Sequence, residues 1–286
     1  MQQKIIVTGA NGQLGSELRQ ILGSSSDCSV FTDVDTLDLT SNKQALSFFE
    51  KENPDVIVNC AAFTAVDKAE KEWEKATSIN AGIPEILAEY GTLSGCRIIH
   101  ISTDYVFKGD LARPLKEEDA TLPESRYGQS KLLGEKALMH FNNTMIIRTS
   151  WLYSIYGNNY VKSMVRLLDE RNELKIVYDQ IGSPTHGTDL AGAITQIIEH
   201  GTAGFAPGIY HYSNEGVASW YDFAYEIREL TGASCNLVPI ETKDYPLPAP
   251  RPAYAVLNKH KIKKEYGLEI PHWKSSLKTY MEKMNR

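Results

Sequence analysis

The sequence predicts a doubly wound α/β fold, in which helices cover both faces of a mostly parallel sheet. Short apolar, β-branched runs recur along the chain, and segments with helical periodicity separate them. Strands that alternate with helices in this way form parallel βαβ units. The first strand-to-helix turn carries three glycines spaced three residues apart, a pattern typical of the edge where such sheets bind ligands.

Each element is justified by its own pattern. Apolar runs too short for a buried helix predict strands at 5–8, 29–33, 55–60, 96–102, 144–150, 175–179 and 208–213. Apolar residues at helical spacing predict helices at 43–52, 81–94, 126–140, 159–171 and 220–231. The proline-rich stretch YPLPAPRP at 245–252 predicts an extended crossing over the surface, which with 151–170 is expected to form a lid or a lobe.

Composition and charge restrict the class of protein. At 286 residues, with 42% hydrophobic and 23% charged residues, the chain has the composition of a globular enzyme with a sizeable core. A net charge of −6 argues against a nucleic-acid partner, and the basic run at 259–264 is interpreted as a solvated helix face. Because no apolar run approaches the ~20 residues of a membrane helix and the amino terminus lacks a signal-peptide pattern, we expect a cytoplasmic protein without membrane contact.

The four cysteines show no metal-ligand spacing and are expected to be reduced, buried and structural; they are Cys28, Cys60, Cys96 and Cys235.

The opening stretch IIVTGANGQLG predicts a strand, a glycine turn and a helix start. Free N–H groups at a helix start favour an anion, and Gly9, Gly12 and Gly15 let a pyrophosphate approach the backbone closely. Asp33, at the end of the second strand, either binds adenosine ribose hydroxyls or is a turn residue in TDVD. We therefore predict a dinucleotide-binding domain over 1–150, to which the chain returns at about 185–215, and a smaller substrate-binding lobe over 151–184 and 216–286.

A second candidate site lies in RYGQSKLLGEKAL, which places Tyr127 and Lys131 four residues apart on one helix face. An adjacent ammonium is expected to lower the pKa of the tyrosine and make it an acid–base group, although the pair can also be a chance pair on a surface helix. Upstream, Ser102, Thr103 and Asp104 follow a strand at the sheet edge where ligands bind. Thr103 is expected to hydrogen-bond the oxygen that Tyr127 protonates.

These residues carry a family resemblance. The chain resembles the extended short-chain dehydrogenase/reductases of the Rossmann type, and within them the dTDP-4-dehydrorhamnose reductase family. The resemblance extends nearly end to end and rests on TGANGQLG, PDVIVNCAAFTAVDKAE, HISTDYVF, YGQSKLLGEKA, IIRTSWLY, GNNYVKSM, DQIGSPT and PAPRP. The later blocks discriminate best, because the early ones are shared by the whole superfamily.

The resemblance implies an NAD(P)H-dependent reduction of the 4-keto group of dTDP-4-dehydro-β-L-rhamnose, a nucleotide sugar, to dTDP-L-rhamnose. It implies that Tyr127 is the proton donor, that Lys131 tunes it and holds the nicotinamide ribose, and that Thr103 orients the keto oxygen. The implied cofactor-binding residues are Gly9, Gly12, Gln13, Leu14, Gly15, Asp33, Asp38, Leu39, Ala62, Phe63, Thr64, Tyr127 and Lys131. The implied substrate-binding residues are Thr103, Asp104 and Trp151, and Arg251 is added because a guanidinium suits a diphosphate.

Several of these residues also have a purely structural interpretation. Ala62 and Phe63 can be core residues at a strand end, and Trp151 can be a packing anchor. Arg251 can be a solvated arginine. Glu17 and Asp189 match two acidic positions at which some family members hold Mg²⁺ between subunits, but Lys283 occupies the third, so we predict no metal site and leave a homodimer open. For both acids the favoured interpretation is an exposed helix carboxylate.

Other functions on the same scaffold are separated by single features. Sugar-nucleotide dehydratases carry Thr-Asp-Glu where this chain has Thr103-Asp104-Tyr105, so dehydration is not expected. Epimerases share the Tyr-Lys pair but lack the later blocks, and a non-catalytic, cofactor-binding regulatory subunit stays open as the alternative from another class. Asp33 disfavours a 2′-phosphate, whereas the family resemblance implies NADPH with NADH also accepted. We predict NADPH as the principal cofactor.

Overall fold

A computed structural model describes residues 3–23 and 28–284, and within them the centre of the molecule is a six-stranded parallel sheet. The strand order is β2-β1-β3-β4-β5-β10. These strands are β1 (Ile5–Thr8), β2 (Ser29–Thr32), β3 (Val56–Asn59), β4 (Arg97–Thr103), β5 (Thr144–Thr149) and β10 (Gly208–His211). β1 lies between β2 and β3, so the strands that follow it in sequence are added on opposite sides of it. Such a reversal of strand order leaves a crevice at the carboxyl end of β1.

Helices cover both faces of this sheet. On β1, Ile5 and Val7 point to one face and Ile6 to the other, and all three are buried. The first face is covered by α1 (Gln13–Leu22) and α8 (Gly187–Glu199), and the second by α2 (Asn42–Glu52), α5 (Ile83–Ser94) and α6 (Arg126–Leu138). The predicted doubly wound fold of the Rossmann type is therefore confirmed.

Short elements link β3 to α5 at the edge of the crevice. They are α3 (Val66–Ala69), α4 (Trp73–Thr77) and a π-helical turn at Ser78–Gly82. A 3₁₀ turn at Asp104–Val106 follows β4.

The later part of the chain builds a second core. Its strands are β6 (Leu152–Tyr153), β7 (Glu173–Val177), β8 (Ile181–Gly182), β9 (Thr185–His186), β11 (Ala218–Ser219) and β12 (Asn236–Ile240). Its helices are α7 (Tyr160–Glu170), α9 (Trp220–Thr231) and α11 (Trp273–Met284), and between the last two lies α10 (His260–Tyr266), which packs on the central sheet instead. The predicted strand at 175–179 forms as β7, but it pairs with β12 rather than with the central sheet.

Residues that follow β10 contribute to both hydrophobic cores and so connect them. Tyr153, Phe223 and Trp273 belong to the core of the later segment, whereas Ile262 and Tyr266 of α10 pack with the first face of the central sheet. The two-domain division given above stays a prediction.

No helix within the described residues is both long enough and apolar enough to cross a membrane. The four cysteines are free thiols, as predicted. Cys96 and Cys235 are buried, whereas the expectation that all four are buried is wrong for Cys28 and Cys60, which are half-buried.

Candidate active site

The turn between β1 and α1 has room only for glycine at two positions. Gly9 has a φ of +63°, and a Cβ there would lie 2.6 Å from the backbone nitrogen of Ala61. A Cβ on Gly15 would collide with the carbonyl oxygen of Gly9. Gly12 caps α1, and no side chain of the described residues hydrogen-bonds the N–H groups at this helix start. The turn therefore fits the pyrophosphate of a dinucleotide, whose oxygens accept hydrogen bonds from such N–H groups.

Asp33 is fixed beside this turn at the end of β2. Its Oδ2 accepts a hydrogen bond from the backbone N–H of Asn11 at 2.8 Å, and its Oδ1 accepts one from Val34 N–H at 2.7 Å. Arg19 on α1 donates to Asn11 Oδ1 at 3.2 Å. These hydrogen bonds are those of a turn residue, and binding of adenosine ribose hydroxyls by Asp33 stays a prediction. The Arg19 guanidinium, to which no sequence pattern pointed, contacts the same Asn11.

The two other predicted adenosine contacts have local partners. The carboxylate of exposed Asp38 accepts hydrogen bonds from the side chain and backbone N–H of Thr40, which lower its pKa. Leu39 is buried with the core on the second face of the sheet. Gln13 Oε1 accepts a hydrogen bond from Asn159 Nδ2 at 3.2 Å and so links the glycine turn to the start of α7.

The loop after β3 is held against α6 by one buried amide. Asn80, in the π-helical turn, accepts a hydrogen bond from Phe63 N–H at 2.8 Å and donates to Phe63 O at 3.0 Å and to Ser130 Oγ at 2.9 Å. Phe63 packs against Tyr127, Ala62 is half-buried and Thr64 is exposed. Asn80 was missed in the sequence, although a polar residue inside the apolar run SINAGIPEIL was a detectable signal.

The end of β4 and the first turn of α6 bring together the predicted catalytic residues. Tyr127 is 9% exposed, and burial raises its pKa to about 12, an effect that a hydrogen bond with the Thr103 side chain partly opposes. The net shift of the Tyr127 pKa is therefore upward, against the net lowering that the sequence predicts. Lys131 Nζ donates to the carbonyl oxygen of Ile101 at 2.7 Å and lies 3.3 Å from His100 Nε2 instead.

Asp104 is a buried acid with one unpartnered oxygen. Its Oδ1 accepts a hydrogen bond from Thr103 Oγ1 at 3.0 Å, whereas its Oδ2 has no hydrogen-bond partner among the described residues. Burial raises its pKa to about 7, against the lowering effect of its hydrogen bonds. Asp104 can therefore hold either a proton or a negative charge near neutral pH.

Beneath Lys131 lies a buried ion pair. Arg148 on β5 donates to both carboxylate oxygens of Glu135, at 2.9 and 2.7 Å, and Ser102 donates to the same carboxylate. Burial lowers the pKa of Lys131 to about 8, and the charge of Glu135 opposes that shift. Lys131 is thus a lysine that titrates close to neutrality.

Trp151 lies at the carboxyl end of β5 in a constrained position. Its φ is +48°, an unfavourable backbone region for a residue with a Cβ. Its indole stacks on that of Trp220 with ring centroids 3.6 Å apart, and a Cβ at Gly182 would lie 2.7 Å from its Cε2 atom. The ring is therefore fixed in orientation and only half-buried.

Arg251 is neither solvated nor free. Its Nη1 and Nη2 atoms donate to Asp67 Oδ1 and Oδ2 at 2.6 and 2.7 Å, and Ala249 N–H donates to the same carboxylate. Of the two alternatives, the solvated arginine is wrong, because the proline-rich segment crosses over α3 and Arg251 pairs with Asp67 there. This pair joins the later part of the chain to the loop after β3.

Glu17 and Asp189 are also not the exposed carboxylates that we expected. Glu17 is 4% exposed and accepts hydrogen bonds from Ser154 and Thr188, and Asp189 Oδ2 accepts from Asn214 and Ser276. Both helices pack against the later part of the chain, which buries Glu17 and leaves Asp189 half-buried. Within residues 3–23 and 28–284, no group of three or more His, Cys, Asp or Glu side chains is arranged to hold a metal ion.

Comparison with known proteins agrees with this geometry. The family model described as RmlD substrate binding domain matches residues 3–286. The spore coat polysaccharide biosynthesis protein SpsK of Bacillus subtilis is 41% identical over 98% of this chain and 97% of its own. The dTDP-4-dehydrorhamnose reductase of Aggregatibacter actinomycetemcomitans is 40% identical over 96% of this chain and 97% of its own.

Solved structures superpose over almost the whole chain. The crystal structure of a dTDP-4-dehydrorhamnose reductase from Clostridium acetobutylicum has a TM-score of 0.93 and 41% identity, covering 99% of both chains. That of the Bacillus anthracis enzyme in complex with NADP has a TM-score of 0.93 and 38% identity, covering 99% of this chain and 100% of that one. This chain therefore belongs to the RmlD substrate binding domain family, together with dTDP-4-dehydrorhamnose reductases.

Proposed function

We propose that the protein reduces the 4-keto group of dTDP-4-dehydro-β-L-rhamnose to the hydroxyl of dTDP-L-rhamnose. The observation that carries this proposal is the convergence of Thr103, Tyr127 and Lys131 at the end of β4, at the same sheet edge as the glycine turn that follows β1. Relatives that match nearly the whole chain at about 40% identity bear the name of this activity.

The nicotinamide cofactor supplies the hydride, and the chain supplies the proton. Because burial raises the pKa of Tyr127 to about 12, its hydroxyl carries a proton at neutral pH and can donate it to the keto oxygen. Thr103 orients that oxygen through its hydroxyl, whose proton turns from Asp104 Oδ1 to the substrate. Donation leaves a phenolate in a buried site, where the ammonium of Lys131 stabilises the negative charge.

The substrate side of the crevice is assigned to Asp104 and Trp151. The unpartnered Oδ2 of Asp104 accepts a sugar hydroxyl when ionised, and its protonated form donates to one. Trp151 offers the edge of a fixed indole at the end of the neighbouring strand β5. Arg251 shapes this side through Asp67, and its contact with a diphosphate stays a proposal that requires this ion pair to open.

NADPH is proposed as the preferred cofactor, with NADH also accepted. Asp33 on its own would repel a 2′-phosphate, but both of its oxygens are engaged by backbone N–H groups. Exposed Arg19 lies next to it through Asn11 and supplies the positive charge and the donors that a 2′-phosphate requires. These contacts support a site that tolerates the phosphate despite its acidic residue.

The decisive experiment measures loss of nicotinamide absorbance when the protein meets freshly prepared dTDP-4-dehydro-L-rhamnose, with NADPH and NADH in parallel. We expect oxidation that falls by at least about 10²-fold in Tyr127→Phe, because the proton donor is lost while the ring remains. Arg19→Ala should weaken NADPH binding about tenfold and leave NADH nearly unchanged, whereas Arg166→Ala on α7 should change neither.

Two outcomes of this experiment would contradict the proposed reductase activity. Cofactor binding without oxidation of any 4-keto nucleotide sugar would favour the regulatory-subunit alternative, and oxidation with a different sugar nucleotide would move the assignment to another reductase. The cytoplasm as location and a homodimer as assembly are also proposals, which fractionation of cells and light scattering of the purified chain can test. Glu17, which is buried, and Asp189, which is half-buried, are both engaged in hydrogen bonds within the chain and do not fit the metal-linked assembly of some relatives.

A further inference from the structure

A row of buried polar side chains, each in contact with the next, crosses the central sheet from β1 to β4 and ends at Lys131 on α6. Thr8 Oγ1, at the end of β1, donates to Asn59 Oδ1 at 2.7 Å, and Asn59 Nδ2 contacts His100 Nδ1 at 2.9 Å. His100 Nε2 then lies 3.3 Å from Lys131 Nζ. All four side chains are at most 2% exposed. None of the first three belongs to the roles assigned above.

One backbone N–H group determines which atoms donate and which accept along this row of side chains. Ala61 N–H, which can only donate, points at Asn59 Oδ1 at 3.2 Å, so the amide oxygen of Asn59 lies on that side and its NH₂ group faces His100. An NH₂ group also can only donate, and therefore His100 Nδ1 is the acceptor. A neutral imidazole that accepts at Nδ1 carries its proton on Nε2.

The Nε2 proton of His100 consequently points at Lys131. A lysine ammonium has three donors and no acceptor, so the contact places two donors face to face. A neutral amine has a lone pair that accepts the Nε2 proton. We propose that His100 is a positioning residue for the reduction: its Nε2–H group favours the amine form of Lys131 over the ammonium form.

Burial also favours the amine form of Lys131, but no other titratable side chain around it does so. Cys60, at the end of β3, is a neutral thiol, since burial raises its pKa to about 12. Glu135 on α6 favours the ammonium, but Arg148 on β5 neutralises most of its charge. Tyr127 on α6 keeps its proton before the reaction. His100 itself stays uncharged, because burial and the charge of Lys131 lower its pKa well below its ordinary value.

The consequence is a lysine that can change its protonation state during each turnover. The inference rests on the proposed function, in which the ammonium supports the phenolate left on Tyr127. When that phenolate takes a proton from the Lys131 ammonium, the resulting amine accepts a hydrogen bond from His100 Nε2–H, and it then takes up one proton from water before the next turnover. The same donor limits the enzyme at high pH, because it enlarges the fraction of Lys131 that is already neutral.

Two substitutions test the roles of the two ring nitrogens of His100 separately. Asn retains an acceptor at the position of Nδ1 for Asn59 and removes the group that faces Lys131, whereas Gln retains an N–H group at the position of Nε2. The pKa of Lys131 is read without substrate from the ¹³Cε resonance of labelled lysine, assigned with Lys131→Met. We expect His100→Asn to raise this pKa by about one unit, a tenfold fall in the acid dissociation constant, and His100→Gln to leave it nearly unchanged.

The alkaline limit of kcat should move in parallel with this pKa. An unchanged Lys131 in His100→Asn, or an equal rise in both variants, would overturn the proposal, since the second result means that packing rather than the Nε2 proton is responsible. The imidazole ¹⁵N shifts of the unsubstituted protein give a reading that needs no variant to fold, and a proton found on Nδ1 also refutes the proposal. If the lysine titrations agree while no nucleotide sugar is reduced, only the proposed function fails.

Discussion

At the scale of single residues, Asp104 links the site to the pH dependence of stability. Burial raises its pKa from the ordinary 3.8 to about 7 in the folded protein, so the folded state holds a proton that the unfolded state has lost between these values. The stabilising contribution of this group is present below pH 4 and disappears as the pH rises through 7. A buried charge with one unpartnered oxygen remains above that range.

Asp104→Asn should therefore gain stability relative to the unsubstituted protein as the pH rises. Between pH 5 and pH 8 we expect the difference in unfolding free energy to move in favour of the variant by up to about 3 kcal/mol. Urea denaturation of both proteins at the two pH values measures it. An unchanged difference would mean that Asp104 is ionised in the folded state at pH 5 already.

At the scale of elements, the start of α1 depends on a glycine without space for any side chain. Gly15→Ala would drive its Cβ into the carbonyl of Gly9, and because that atom belongs to the backbone, the turn itself must shift. We expect weaker binding of NADPH by at least about tenfold and a lower melting temperature. Titration calorimetry and thermal unfolding report the two effects separately.

Gly192 on α8 provides the matched control for this prediction. It is also a helical glycine, but nothing lies within 4 Å of the position its Cβ would take. Gly192→Ala should stabilise the protein by about 0.5–1 kcal/mol, because alanine loses less backbone entropy in a helix, and it should leave cofactor binding unchanged. Equal effects of the two substitutions would show that steric closure at the turn is not the cause.

At the scale of the whole molecule, the sheet cannot be separated from the end of the chain. Leu14 and Leu18 of α1 share one buried cluster with Ile194 of α8 and Ile262 of α10. A fragment of residues 1–184 lacks both partner helices and exposes that cluster to water. We expect it to show no cooperative urea transition by circular dichroism, and we expect co-expression with residues 185–286 to restore one. Cooperative unfolding of the fragment alone would contradict this expectation.

Much of the fold and part of the site follow from local patterns in the sequence. The strand and helix periods predict the central sheet, and parallel strands place Thr103 and the glycine turn at one edge. What the sequence could not reveal are partners far apart along the chain. Arg251 meets Asp67 across 184 positions and Glu17 meets Thr188 across 171, and no periodicity encodes such pairs. His100 looks like one more residue of an apolar strand until the directions of its hydrogen bonds are known.

The stacked pair Trp151 and Trp220 has a consequence for optical work on this protein. Two indoles in parallel planes 3.6 Å apart couple electronically, so they act as one chromophore rather than two. Under the proposed function, a sugar bound against the Trp151 edge would change the surroundings of this coupled pair without moving the rings. We expect the near-ultraviolet circular dichroism of the native chain to report such binding, without any label and before any chemistry takes place.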